Sequence, residues 1–401
     1  MPIFNSSKIF IVISTAWLVL IYIFIHPFFD PFSQDLLSWK GLERISTFFT
    51  IKKDCDIFQG KWIQDPTAPH YYTNLTCSIM DEQTNCMRWG RPDTDFMKWR
   101  WKPDGCDLPP FDPTMFFDLM QGKSMVFIGD SLGRNQMHSL ICILSKVARP
   151  EKIENNFHRR EFQSYWYPEY NITFATYFSP FLVKAEAVDP DHITLDSPFK
   201  LYLDEPDDTW LNAVESFDYV IVAVGAWFFR PNWYYENNQL VGCNFCEDKN
   251  ISDVSLYYAF KYVFRTTFQT LQDLPNYTGT TVLSTITPQH FENGAWKDGG
   301  VCNRRNQFRI NETQPLLNLH QEILGLHKSQ LEEFQKMAEE NIQRYLLLDN
   351  IRVLSLRPDG HPSIYNPKKD IKKYYDCVHW CLPGPMDNVN DLFLYLLKRN
   401  K

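Results

Sequence analysis

The segment Met125-Val-Phe-Ile-Gly129-Asp130-Ser131-Leu132-Gly133-Arg134-Asn135-Gln136 decides the fold. Ser124–Gly129 is a short apolar run of the kind that forms a strand buried on both faces, and an amphipathic helical pattern follows it at once. A strand that ends in Gly-Asp-Ser and turns into a helix places Ser131 at the carboxyl edge of a sheet. The backbone N–H groups of the helix N-terminus there can stabilise a developing oxyanion. Gly129 and Gly133 allow the tight turn and close packing. Taken alone, Gly-Asp-Ser is a weak tripeptide and reads better as a helix cap.

A second segment changes that balance. Tyr375-Asp376-Cys377-Val378-His379-Trp380-Cys381-Leu382-Pro383-Gly384 carries Asp-x-x-His. A serine hydroxyl needs a base to take its proton, and the base needs an acid to orient it. His379 and Asp376 supply both within four residues, on a loop or turn that Cys377 and Cys381 can pin. The competing reading is a structural histidine in a disulfide-rich loop. Paired with Gly-Asp-Ser on an α/β core, the segment reads as the rest of a Ser131–His379–Asp376 triad.

Outward from these segments, Tyr219–Val224, Thr281–Ile286 and Ile351–Leu356 are further buried-strand candidates. Gln314 to Leu348 is one long helical stretch, and 157–210 is strand-rich with antiparallel pieces. Alternation of strands and helices predicts an α/β fold with a parallel sheet. Residues 55–113 differ: four cysteines, many Trp and Pro and little periodicity predict a loop-rich, disulfide-stapled cap ahead of a catalytic domain at 114–401.

At the other end, Ile9 to Ile25 has no charge and would span about 26 Å as a helix, close to a bilayer core. Lys8 precedes it, and Asp30 and Asp35 follow, so the positive-inside rule leaves a short cytosolic tail (1–8), a signal anchor (9–29) and a stem (30–54). A cleaved signal peptide fits less well, since the apolar run is long and no small-x-small site follows. Sequons at Asn74, Asn171, Asn250, Asn276 and Asn311 all lie beyond the anchor, and the ten cysteines form an even set. Both agree with an oxidising lumen. Cys243-x-x-Cys246 reads as a disulfide rather than a zinc site, because no second ligand pair stands beside it. No metal is expected. The net charge of −8 and the lack of any basic run set nucleic acid aside as a partner.

Three groups of residues together resemble one family. Cys55-Asp-Ile-Phe-Gln-Gly60-Lys-Trp62 with Tyr71-Tyr72, and Gly90-Arg-Pro-Asp93 through Trp99-Arg-Trp101-Lys-Pro103 to Cys106, are similar to the N-terminal domain of the plant trichome-birefringence-like proteins. The Gly-Asp-Ser and Asp-x-x-His segments resemble their esterase domain. The resemblance covers roughly 55–398. It implies an SGNH/GDSL-like three-layer fold and a single-pass type II Golgi membrane protein with a luminal catalytic domain. It also implies O-acetylation of wall polysaccharide through acetyl-Ser131, with His379 as base and Asp376 as its orienter. The partners implied are a polysaccharide acceptor and a membrane protein that supplies acetyl groups. No bound cofactor is implied, and the acetyl donor (acetyl-CoA or a derivative) is a co-substrate. The cap wording from Asp93 to Pro103 resembles the xyloglucan- and mannan-acting members. The family pattern further implies Cys55–Cys106, Cys77–Cys142, Cys86–Cys381 and Cys302–Cys377, leaving Cys243–Cys246. Cys142 also reads as a buried thiol.

One departure stands out. GDSL-type hydrolases bring Gly and Asn donors to the oxyanion hole, but Gly225-Ala226-Trp227 has no Gly-x-Asn after it. The amides of Ser131 and Gly225 are then the expected donors, with Arg134 or Asn135 as the third, and Arg134 reads equally as a surface residue. His290, Trp296 and Arg304 follow the strand at 281–286 and are either glycan contacts or loop packing. Trp99 to Lys102 stacks sugars or packs the cap. Acetyl transfer to a sugar, deacetylation by water and non-catalytic polysaccharide binding are the competing functions.

Overall fold

The computed structural model describes residues 55–67, 71–153, 162–192, 197–246, 248–308, 314–368 and 374–400. The expected tail, anchor and stem (1–54) and the sequon at Asn311 lie outside them. Among the described residues no helix is long and apolar enough to cross a membrane.

In chain order the elements are β1 (Gly60–Gln64), β2 (Trp99–Pro103), α1 (Pro113–Met120), β3 (Ser124–Gly129), α2 (Ser131–Leu144), β4 (Glu151–Lys152), β5 (Phe162–Tyr167), β6 (Ile172–Phe178), β7 (Val183–Ala187), β8 (Phe199–Pro206), β9 (Tyr219–Ala223), β10 (Asn232–Glu236), β11 (Gln239–Asn244), α3 (Leu256–Asp273), β12 (Thr280–Ser284), α4 (Gln314–Ala338), β13 (Tyr345–Leu348), α5 (Asn350–Leu354) and α6 (Pro385–Arg399), with a one-turn helix at Asp208–Leu211 and short 3-10 turns among the connections. The main sheet runs β13-β12-β9-β3-β6-β5-β4. It is parallel from β13 to β6 and antiparallel from β6 to β4. Of the parallel strands, β9 and β13 are continuous apolar runs and β3 nearly so, as strands covered on both faces are. Met125, Val126 and Ile128 of β3, like Val220, Ile221 and Val222 of β9, are buried. A second sheet, β11-β10-β8-β7, accounts for much of the strand-rich middle.

One strand expectation is corrected. The edge strand is Tyr345–Leu348, paired in parallel with β12, whereas Ile351–Leu354 is helical. Tyr345-Leu-Leu-Leu348 is the run that matches β12 in length. Past Asp349 the Asn350 N–H donates to Thr285 Oγ1, and its amide reaches Ser284 Oγ and the Thr285 carbonyl. Those bonds turn the chain off the sheet. The helix expected to run on to Leu348 stops at Ala338.

The cap is not a separate module. β1 and β2 form an antiparallel hairpin in which Trp62 faces Trp101. Both rings are buried in the same core as Phe116, Phe117, Leu140 and Phe393. Trp62 Nε1–H donates to the Val353 carbonyl at 2.7 Å, and Trp101 Nε1–H to the Ile57 carbonyl at 2.8 Å. Trp101 is therefore core; Trp99 is half-buried. Tyr71 and Tyr72 donate to Asp391 and Asp387 of α6 at 2.7 and 2.6 Å. Disulfides join Cys55–Cys106, Cys77–Cys142, Cys86–Cys381, Cys243–Cys246 and Cys302–Cys377. Cys142 is therefore bonded, not a free thiol. Asn171, Asn250 and Asn276 are exposed, and Asn74 is half-buried.

Candidate active site

β3 ends at Gly129, whose φ of +144° favours glycine. A Cβ there would sit 1.9 Å from the Ala223 carbonyl of β9, so strand and neighbour can close up only around a glycine. Asp130 then caps α2: Oδ1 accepts from Leu132 N–H at 2.9 Å. Its Oδ2 accepts from the N–H groups of Gly225 and Ala226 at 2.9 and 3.1 Å. Burial pushes the Asp130 carboxyl upward, against those three donors. Asp130 thus ties the Gly-Asp-Ser turn to the loop after β9, and Ser131 opens the helix beside it.

The second arm comes from the loop before α6. Asp376 Oδ1 accepts from the N–H groups of Val378 and His379 at 3.2 and 3.0 Å. Asp376 Oδ2 lies 2.9 Å from His379 Nδ1, and His379 Nε2 lies 2.7 Å from Ser131 Oγ. A carboxylate only accepts, so Nδ1 carries the proton and Nε2 is left to accept from the serine. Burial pulls the imidazole down, yet the Asp376 charge and hydrogen bond outweigh it and the net shift of His379 is upward. Burial also raises Asp376, but His379 and the donated hydrogen bonds leave it well below the usual carboxylate range. An ion pair is therefore favoured when His379 takes a proton.

The loop is fixed from several sides. Cys377 and Cys381 are bridged to Cys302 and Cys86. Asn135 holds the Trp380 backbone, accepting from its N–H at 2.8 Å and donating to its carbonyl at 3.2 Å. His361 Nδ1–H donates to the His379 carbonyl at 2.7 Å, and burial drops its pKa to about 4.

Ser131 and His379 open on a cleft of about 360 Å³ whose lining includes Gln83, Arg134, Trp227, Phe229, Arg230, Trp296, Tyr374 and Tyr375. The Arg230 guanidinium stacks 3.8 Å over the Trp227 ring. Arg134 sits one turn after Ser131 and pairs with Asp81 of the cap at 3.4 Å. Among the described residues no group of His, Cys, Asp and Glu is arranged to hold a metal ion.

Several expected contacts move. Gly225 N–H, expected to face an oxyanion, donates instead to Asp130 Oδ2. Asn135 is committed to Trp380. His290 is buried, 2.7 Å from His361 Nε2 and 3.0 Å from the Ser355 carbonyl, and does not line the cleft. Arg304 pairs with Glu292, lies over Phe308 and is absent from the cleft lining. Trp296 and Arg134 do line it. Gln83, Trp227, Phe229 and Tyr374 were not singled out by sequence. Gln83 lies 293 positions from Asp376, and no local pattern joins them.

A serine, histidine and aspartate at the carboxyl edge of a parallel sheet, with Gly-Asp-Ser at the turn, define the GDSL/SGNH-like class of acyl esterases. Comparison with known families agrees. Residues 108–396 match the PC-Esterase model, described as a GDSL/SGNH-like acyl-esterase family found in Pmr5 and Cas1p, and residues 53–107 match the PMR5 N-terminal domain. The chain belongs to this family. It is 45% identical over 364 residues to protein trichome birefringence-like 19 of Arabidopsis thaliana, covering 88% of this chain and 83% of that protein. It is 35% identical over 402 residues to xyloglucan O-acetyltransferase 2 of the same plant, covering 99% and 93%. It is 37% identical over 386 residues to xyloglucan O-acetyltransferase 3 of Populus trichocarpa, covering 94% and 96%.

Proposed function

We propose that this protein transfers acetyl groups to hydroxyls of a cell-wall hemicellulose, xyloglucan in the first instance, through an acetyl-Ser131 intermediate. The observation that carries the reading is the unbroken line from Asp376 to His379 Nδ1 and from Nε2 to Ser131 Oγ. His379 removes the Ser131 proton as Oγ attacks the acetyl carbonyl of the donor. The leaving group departs with that proton. A sugar hydroxyl then attacks the acetyl-serine carbonyl, His379 takes the hydroxyl proton, and Ser131 Oγ leaves and recovers it. The N–H of Ser131 and the Arg134 guanidinium stabilise the oxyanion at each stage, in place of the Gly and Asn donors. Trp227 and Trp296 give the acceptor flat apolar faces for its rings.

The apolar segment at 9–29 anchors the chain as a single-pass type II protein of the Golgi membrane, with this site in the lumen. The disulfides and the exposed sequons at Asn171, Asn250 and Asn276 support a luminal body. A membrane protein that supplies acetyl groups is the partner such a site needs. The test is to incubate the full-length protein with an acetyl donor and a xyloglucan oligosaccharide. Acetylated oligosaccharide is expected. Free acetate alone, at high acceptor concentration, would make it an esterase; binding with neither product would make it a polysaccharide-binding protein.

A further inference from the structure

The turn Asp81–Cys86 of the cap touches both the helix that begins at Ser131 and the loop that carries His379. Asp81 pairs with Arg134 on the nucleophile helix. The Thr84 carbonyl accepts from Leu382 N–H at 2.9 Å, and Cys86 is bonded to Cys381. Between them, Gln83 reaches into the cleft. Its Nε2 lies 2.9 Å from Asp376 Oδ2 and 3.1 Å from His379 Nδ1. The turn itself is rigid: Asp81 Oδ1 accepts from Gln83 N–H at 3.0 Å, and the Asp81 carbonyl from Thr84 N–H and Oγ1 at 3.1 Å.

Without Gln83, Asp376 Oδ2 would have His379 as its one partner among these contacts, since the Val378 and His379 amides both go to Oδ1. Oδ2 would then be held by nothing but the imidazole that it has to orient, and the two could shift together. We propose that Gln83 is a positioning residue of the acid–base pair, delivered by the cap, whose amide holds Asp376 so that Oδ2 faces His379 Nδ1. This rests on the catalytic reading above. It also gives the cap a part in the chemistry: the nucleophile and base come from the esterase domain, and the group that steadies their acid comes from the N-terminal one. The charged groups around His379 are Asp376 on its own loop, and Asp130 and Arg134 from the nucleophile turn and helix; His361 lies behind it. A charge placed at position 83 would join that set.

The test compares the full-length protein with Gln83→Leu, Gln83→Glu and Ser131→Ala, measuring turnover of p-nitrophenyl acetate with a xyloglucan oligosaccharide as acceptor across pH. For Gln83→Leu the expected result is kcat lower by about 10- to 100-fold with both KM values nearly unchanged, as for a misaligned reacting group. For Gln83→Glu the carboxylate favours the imidazolium, so the acid limb of the profile moves up by about one pH unit. The limb shift reports that position 83 faces the imidazole; the fall in kcat with unmoved KM values in Gln83→Leu is the readout that a merely packing glutamine would not give. If Gln83→Leu does not fold, Gln83→Met, which keeps the length and removes the amide, takes its place with the same expected loss of kcat. Gln83→Leu with wild-type kcat, or Gln83→Glu with an unmoved limb, beside an inactive Ser131→Ala, overturns this inference alone. Turnover that survives Ser131→Ala overturns both it and the catalytic reading.

Discussion

His379 Nε2 stands 2.7 Å from Ser131 Oγ, although 248 residues separate them in the chain. That contact exists because β3 delivers the serine to the carboxyl edge of the sheet and two disulfides and Asn135 hold the histidine loop over it. Ser131→Ala or His379→Ala should each lower acetyl transfer by roughly 10,000-fold, with the double variant little worse than either. The measurement is kcat/KM for the three variants. Additive losses would mean that the two groups do not act as one unit.

Acceptor recognition should separate from acylation. Trp227 and Trp296 line the cleft, and Arg230 steadies the Trp227 ring. Replacing either tryptophan with alanine should raise the acceptor KM by about 5- to 10-fold, the scale of one aromatic contact. The rate of acetylation of the enzyme by a small donor should hardly change. A drop in that rate with an unmoved acceptor KM would contradict the assignment.

The Cys86–Cys381 bond closes a loop with a sequence separation of 295. Replacing both with serine should cost about 5–6 kcal/mol through the unfolded chain's entropy. It should also lower activity, because Thr84, Gln83 and the histidine loop share that clamp. Thermal unfolding would show one transition in both proteins, since Trp62 and Trp101 of the cap lie in the common core. Two separate transitions in the wild type would contradict a shared core.

Stability should carry the mark of two buried carboxyls under the cap. Burial raises Asp391 to about 7 and Asp387 to about 6, despite hydrogen bonds from Tyr71, Phe111, Tyr72 and Ser139. An unfolded aspartate titrates near ~4. The native state therefore holds more protons between these values, and stability from this pair is full below about pH 4 and is lost as pH rises through 6 to 7. Asp391→Asn keeps the shape and removes the titration. Its melting temperature relative to wild type should rise between pH 5 and pH 8. A constant difference would show that Asp391 does not titrate in that window.

The sequence made the nucleophile turn and the histidine loop legible because each packs its chemistry into a few adjacent residues. The strand before Ser131 was readable as an unbroken apolar run, and the motif order carried the family. The edge strand was misplaced because Tyr345-Leu-Leu-Leu348 and Ile351–Leu354 are both short apolar runs. What separates them is tertiary: Asn350 bonds to Ser284 and Thr285. Donor assignments failed for a related reason. Gly225 and Asn135 have the right groups beside the serine, but Asp130 and Trp380 use them. Burial removed His290 from the cleft, where loop position alone had placed it. Gln83 was silent, since nothing local distinguishes a glutamine that meets an aspartate across the fold.

The most direct measurement is to expose the full-length protein to an acetyl donor without acceptor, quench it in acid, and map the modified residue by peptide mass spectrometry. One acetyl group on Ser131, which disappears when xyloglucan oligosaccharide is added and reappears on the sugar, is the predicted result. Acetylated sugar formed while Ser131 never carries acetyl, or forms equally well in Ser131→Ala, would contradict it.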